Sequence, residues 1–279
     1  MEERIQKILS RAGYGSRRDC EVLIKEGRVT RNGEKVELGA KADPDKDQLA
    51  VDGVTLKFKE PEKRYIALYK PRFVLSDRSA SDPRRTVFSL VPNSDDLFVV
   101  GRLDFESEGL VLLTNDGELA NKLTHPRYEK EKEYRVLVAK RPDEDQLNKW
   151  RRGVVLEDGV KTAPADVRVI RQQGEGAWIR VVMKEGRKRE IREIGKQIGL
   201  PIVKLVRVRI GSLTLGPLKP GEWVALKDEE VQALKESASA KPAKKPEKKL
   251  FRREIASARM KSGAPALTKG QPKQTKRKG

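Results

Sequence analysis

The run Leu110-Val111-Leu112-Leu113, closed by Thr114-Asn115-Asp116-Gly117, constrains the fold more than any other stretch. Four consecutive apolar residues bounded by turn formers read as a strand covered on both faces. Strand-like segments recur on either side of it: RYIALYKP, LFVVGRL, KEYRVLVA, AWIRVVMK and VKLVRVRIGSLTL. Helical patterns interrupt them at GELANKLT, DEDQLNKW and KREIREIGKQIG. This irregular alternation predicts an α+β domain over residues 65–234, built on a mixed, mainly antiparallel sheet rather than a βαβ series. Neither a Gly-rich phosphate loop nor a solenoid-length repeat is present in the sequence.

A different pattern precedes that domain. Ile5, Ile8, Leu9 and Ala12 share one helical face, and Cys20, Leu23, Ile24 and Gly27 another. Ser16 followed three residues later by Asp19 makes a capping box for the second helix. Arg17 and Arg18 then fall in its first turn, where the helix dipole disfavours cations and an external anion would compensate. Asn32-Gly33 between alternating stretches signals a tight hairpin, and a second is expected in LAVDGVTLKF. Residues 1–59 therefore read as a small helix-pair and strand domain, joined to the next by a polar linker at residues 60–64.

Charge points to the partner class. The chain has 61 Lys and Arg against 42 Asp and Glu, a net +19, and such a surface gains from releasing counterions on a polyanion. Much of the excess lies from Lys235 onward, where 15 Lys and Arg face 3 Asp and Glu. The Lys, Ala, Pro and Ser composition there predicts a disordered basic tail over residues 235–279. No apolar run is long enough to span a bilayer, and the acidic start MEERIQKILS lacks the pattern of an export signal. A single cysteine, Cys20, and a single histidine, His125, leave no disulfide framework and no thiolate or imidazole metal cluster. A reducing cytoplasm is the expected compartment, with no membrane partner.

Chemistry concentrates in GRLDFESEGLVLLTNDG, residues 101–117. Asp104, Glu106 and Glu108 alternate just ahead of the buried run, and loops at strand ends commonly carry reactive side chains. Three same-side carboxylates would suit a magnesium ion, and a pair would suit glycosidic hydrolysis. A single reactive carboxylate, with Glu106 and Glu108 on the loop surface, is the third option. Asn115, Asp116 and Gly117 are expected to shape the turn and cap the next helix. His125 is expected to interact with local carbonyls at a helix end.

GRLDFESEGLVLLTNDGELANKLTHP, then KEYRV, EGRKREIRE and VRIGSLTLGPLKPGEW, resemble in order and spacing the RsuA/RluB branch of ribosomal RNA pseudouridine synthases. The first domain is similar to the RNA-binding module of a small-subunit ribosomal protein that several RNA-modifying enzymes also carry. The resemblance implies that Asp104 is the catalytic aspartate, that Tyr134 stacks on the target base, and that Arg192, after the apolar Ile191, pairs with the carboxylate. It implies that Arg102 supports the backbone or the flipped nucleotide. Arg11, Arg17, Arg18, Lys25, Arg28 and Arg31 would contact RNA, and Lys188 a phosphate. Glu193 stands where family members often carry another Arg, which bears on affinity rather than chemistry.

The implied reaction breaks the bond from sugar to uracil nitrogen, turns the base and rejoins the same sugar carbon through a ring carbon, with no cofactor. A carboxylate suits it, since it can act covalently, stabilise positive charge on the sugar or move a proton. An aromatic face offsets the cost of unstacking the base. The implied partner is ribosomal RNA, large-subunit RNA before small, free or in a subunit assembly intermediate, acted on by a monomer. Rival readings are a non-catalytic RNA-binding assembly factor and a carboxylate-dependent nucleoside hydrolase.

Overall fold

The computed structural model describes residues 2–56, 61–78 and 82–240. The first part contains β1 (Glu3–Arg4), α1 (Ile5–Arg11), α2 (Arg17–Lys25), β2 (Val29–Arg31), β3 (Glu34–Lys35), β4 (Lys41–Ala42), β5 (Leu49–Val51) and β6 (Val54–Thr55). Both sides of the Ser16/Asp19 capping box form, which sets the start of α2. Asn32 and Gly33 take positive φ values of 53° and 90°, the pair a tight two-residue turn requires, and β2 and β3 meet across them. Ile5, Ile8, Leu9, Cys20, Ile24, Val29, Leu49 and Val51 close a separate small core.

The second part carries β7 (Tyr65–Lys70), β8 (Phe98–Val100), β9 (Glu108–Thr114), α3 (Gly117–Thr124), β10 (Lys132–Val138), α4 (Glu144–Arg152) and β11 (Asp166–Gln173). It continues with β12 (Gly176–Met183), α5 (Glu190–Gln197), β13 (Ile202–Ile210), β14 (Leu213–Thr214), β15 (Trp223–Ala225) and α6 (Asp228–Ser239). One sheet runs β11-β12-β10-β13-β9-β7-β15, with β14 beside β13 and β8 beside β9. The fold is α+β and its sheet mainly antiparallel; β9 and β13 pair in parallel.

The continuous apolar run of β9 follows from its position. Val111 and Leu113 pack with Leu147 and Trp150 of α4 and Ile191, Ile194 and Ile198 around α5. Leu110 and Leu112 pack on the other face with Leu119 and Leu123 of α3 and Val231, Leu234 and Ala238 of α6. Strand periodicity alone thus sends alternate residues into two cores.

Two expectations change. Helix α6 continues to Ser239, past Lys235, because Val231, Leu234 and Ala238 recur at helical spacing and are buried. The ordered body therefore includes the first residues assigned to the tail; residues 241–279 lie outside those described, as does the 57–60 part of the domain joint. Glu108 is not loop surface: it opens β9, is 5% exposed, and its carboxylate meets Lys204 Nζ at 2.7 Å. His125 meets the Asn121 carbonyl at the end of α3 through its backbone N–H at 2.9 Å, while its side chain accepts the Arg127 N–H at Nδ1 and caps the following turn.

Gly109 shows how closely the halves of the sheet approach. Its φ is 109°, and a Cβ there would lie 2.3 Å from the Arg207 carbonyl oxygen and 2.6 Å from its nitrogen. Backbone strain and a collision with main chain act together, so Gly109→Ala is expected to lower unfolding stability by about 3 kcal/mol or more. Urea titration checks this; an unchanged midpoint would contradict it.

Candidate active site

The loop of residues 101–107 is held through its backbone. Arg207, opposite Tyr134 on β13, is 2% exposed. Its guanidinium donates from Nη2 to the Gly101 carbonyl at 2.5 Å, from Nη1 to Arg102 O at 3.5 Å and from Nε to Leu110 O at 2.8 Å. Ser76 Oγ accepts the Leu103 N–H at 3.1 Å and donates to Leu103 O at 2.8 Å. Beyond Asp104, the fully buried Lys70 donates from Nζ to Ser107 O at 2.7 Å, with Phe105 O at 3.5 Å. The Phe73 N–H donates to Phe105 O at 2.7 Å. Two buried cations and a hydroxyl therefore satisfy the main chain on both sides of one half-buried aspartate.

The Asp104 side chain itself makes no hydrogen bond or ion pair among the described residues, though its carbonyl accepts the Ser107 N–H. Its charge is felt nearby. Burial pushes Lys70 down to about 8, opposed by Asp104 and Glu108. Burial also lowers the pKa of Arg192, opposed by Glu106 and then Asp104. The three carboxylates diverge, since Glu108 is bound to Lys204 while exposed Glu106 lies 4.0 Å from Arg189. Among the described residues no group of three or more metal-ligating side chains converges.

Arg192, on α5 beside buried Ile191, arrives at this loop but does not form the expected ion pair with Asp104. Its position alongside residues 106–107 directs Nη2 to Glu106 O at 3.4 Å and Ser107 Oγ at 3.5 Å, and its buried Nε has no partner among the described residues. Arg102 turns its side chain outward to Asp77 and offers only its carbonyl inward. Tyr134 is 7% exposed, packed in the core with its hydroxyl against Arg207. Ile191 is core, and Lys188 is exposed ahead of α5.

In the first domain Arg17, Arg18 and Lys25 are exposed. Arg17 also approaches α3, its guanidinium 3.5 Å from where a Gly117 Cβ would sit. The other three cations have partners within the domain: half-buried Arg11 meets Glu3, exposed Arg28 meets Asp52 at 2.6 Å, and exposed Arg31 donates from Nη1 to the Lys41 carbonyl at 2.8 Å.

Sequence reasoning missed Arg207, Lys70 and a third buried cation, Lys132. Lys132 lies two residues before Tyr134 on the same face of β10, and burial pushes it down to about 8, with Arg207 adding and Glu190 opposing. Lys70 alone had a signal, a charge ending the apolar run YIALYK before Pro71.

Glu190, at the start of α5, is 3% exposed; burial and a hydrogen bond with Glu185 raise its pKa. The folded state then keeps a proton that the unfolded chain releases above the ordinary glutamate value, so stability falls as pH rises from that value. Lys70 and Lys132 act with the opposite sign, since the unfolded chain binds more protons between about 8 and the usual lysine value of 10.5. Glu190→Gln is expected to flatten the fall in Tm between pH 5 and 7, and a slope equal to wild type would contradict the assignment.

Comparison with known proteins bears on the family and the fold. Residues 64–196 match the family model described as RNA pseudouridylate synthase, and residues 3–47 match the S4 domain. An uncharacterized RNA pseudouridine synthase of Aquifex aeolicus is 42% identical over 237 residues, covering 84% of this chain and 94% of that protein. Ribosomal large subunit pseudouridine synthase B of Bacillus subtilis is 40% identical, over 84% of this chain and 96% of its own. A crystal structure of a pseudouridylate synthase superposes with a TM-score of 0.61 at 26% identity, covering 83% of this chain and 99% of that one. With its S4 domain followed by a sheet that presents one unpaired aspartate on a clamped loop, the chain belongs to the RNA pseudouridylate synthase family.

Proposed function

We propose that this enzyme converts a uridine of ribosomal RNA, in the large subunit, to pseudouridine, with Asp104 as the catalytic carboxylate. The observation that carries the proposal is the loop of residues 101–107, whose backbone is fastened by Arg207, Ser76 and Lys70 while the Asp104 side chain is left without a partner. A carboxylate held this way is preorganised for a reacting sugar and base, because its position does not depend on its own hydrogen bonds. Relatives named for large-subunit RNA support the substrate class.

Arg192 supplies positive charge beside the carboxylate through the loop backbone, and its buried, unpartnered Nε gains a partner once the side chain turns toward Asp104 on substrate binding. Tyr134 is assigned to stack on the target base through the 7% of its surface left open, and Arg102 meets the displaced nucleotide from outside. The reaction balances without an added component: the bond from sugar to uracil nitrogen breaks, the base turns, the new bond forms to a ring carbon, and the proton on that carbon leaves to solvent while the ring nitrogen gains one. The enzyme acts as a cytoplasmic monomer; among the described residues no helix is long and apolar enough to cross a membrane.

Carbodiimide mapping of ribosomal RNA from cells carrying wild type or Asp104→Asn tests the reading. Loss of one modified position with Asp104→Asn is expected. Survival of every position, with no isomerisation by the purified protein, would overturn it in favour of an assembly factor, and release of free uracil would favour a hydrolase.

The exposed cations Arg17, Arg18, Lys25 and Lys188 are assigned to phosphates, and the basic segment from Lys241 to added affinity. Replacing Arg17, Arg18 and Lys25 together by Ala is expected to weaken RNA binding and reduce the slope of log K against log salt by roughly 2. Filter binding across a salt series reads the slope, and an unchanged value would remove these residues from the interface.

A further inference from the structure

Phe73 is 57% exposed and has a φ of 62°, a left-handed conformation that is costly for a bulky side chain. It immediately follows Pro71-Arg72 at the end of β7, and its N–H must reach the Phe105 carbonyl to hold the loop. Glycine would provide that hydrogen bond without the steric cost and without exposing a ring to water. Within the protein the Phe73 ring finds the edge of Phe105, the chain neighbour of Asp104, with centroids 5.6 Å apart and planes at 63°. The Arg72 guanidinium lies 5.0 Å from the Phe73 centroid and that of Arg84 lies 4.8 Å from the Phe105 centroid. Arg72 and Arg84 are both exposed, Arg84 also meeting Asp82.

We infer that Phe73 and Phe105, with Arg72 and Arg84 beside them, form a stacking platform for the unpaired nucleobase next to the target uridine in the RNA. Against the strained backbone the fold returns only the Phe105 and Arg72 contacts of a ring that stays 57% exposed, and such departures mark places where a ligand supplies a further contact. The ligand chemistry follows from the groups present: an aromatic face accepts any base, and guanidinium groups at its margin suit the adjoining phosphates. The base that neighbours an extruded uridine has lost one stacking partner, and a ring one residue from Asp104 can replace it. The inference rests on Asp104 as the reacting residue.

The test compares Phe73→Gly, Phe73→Tyr and Phe73→Leu. Phe73→Gly is expected to raise KM for a large-subunit RNA transcript roughly tenfold, with kcat little changed and Tm equal to or above wild type. Phe73→Tyr should keep wild-type KM, and Phe73→Leu should resemble Phe73→Gly. In the Asp104→Asn protein, a uridine oligonucleotide with one central 2-aminopurine should be quenched on binding, and the Phe73→Gly change should remove that quenching. Unchanged KM and quenching in Phe73→Gly would overturn the platform, as would a lowered Tm with unchanged KM, which is the signature of a structural role. Turnover retained in Asp104→Asn would instead sink the assignment of the aspartate, so the two failures are separable.

Discussion

Asp104→Asn is expected to lower turnover on ribosomal RNA by roughly 10³-fold or more while leaving RNA affinity and Tm close to wild type. The size follows from chemistry: the amide keeps shape and volume but has neither the charge nor the basicity of the carboxylate. The selectivity follows from structure. Among the described residues nothing hydrogen-bonds to the Asp104 side chain, and the loop is fastened by Arg207, Ser76 and Lys70 through main-chain atoms that the substitution leaves in place. Single-turnover measurement of tritium release from uridine labelled at the ring carbon separates chemistry from binding. A Tm falling with the rate would mean that Asp104 is part of the loop's support.

Arg207→Met is the converse case, large in stability and secondary in chemistry. Methionine approximates the aliphatic length but leaves the carbonyls of Gly101, Arg102 and Leu110 without their donor in a buried setting. Charge-assisted hydrogen bonds and abandoned buried acceptors together put the cost at about 3 to 5 kcal/mol. Once the anchor is gone Asp104 is less well placed, so kcat is expected to drop about 10²-fold with a small change in KM. Arg207→Lys, which brings charge but one donor group in place of the fork, should recover part of the stability and little of the rate. Chemical denaturation and steady-state kinetics read both quantities, and Arg207→Met with wild-type stability would eliminate the anchoring role.

The legible parts of the sequence were those where a local pattern has one physical meaning. The run in β9 demanded cover on both faces and has it; Asn32-Gly33 fixed a hairpin; Ser16/Asp19 and Asp116 capped helices as expected. Elements lacking apolar contrast were not found. Strand β11 lies at the sheet edge with most of its side chains exposed, β15 is exposed throughout, and the last turns of α6 use Ala and Ser that resemble tail composition.

The acidic cluster was separable only in three dimensions. Glu108 is neutralised by Lys204, which lies in a strand the motif does not contain, and Glu106 faces Arg189. Arg207 illustrates the same limit: in VKLVRVRIG, alternation suggests that each Arg faces water, yet Arg207 is buried because the parallel neighbour brings backbone carbonyls that need a donor. Arg192 was expected to pair with the carboxylate, and its contacts are instead with Glu106 O and Ser107 Oγ on the same loop.

The parallel meeting of β9 and β13 sets an order of events. Only Glu108 and Gly109 pair there with Val206 and Arg207, whereas β10 and β12 pair along their full length, as do β7 and β9 through Lys70. The β11–β12 and β8–β9 pairs form from segments near in the chain, but this joint links residues 97 positions apart in the Arg207 to Leu110 hydrogen bond. Asp104 precedes β9 and Arg192 precedes β13, so the two side chains are brought together only after this long-range joint has closed. Amide exchange of Leu110 and Val206 therefore tracks catalytic competence more closely than exchange in the helices, and a ribosome-sized substrate meets either a finished enzyme or none.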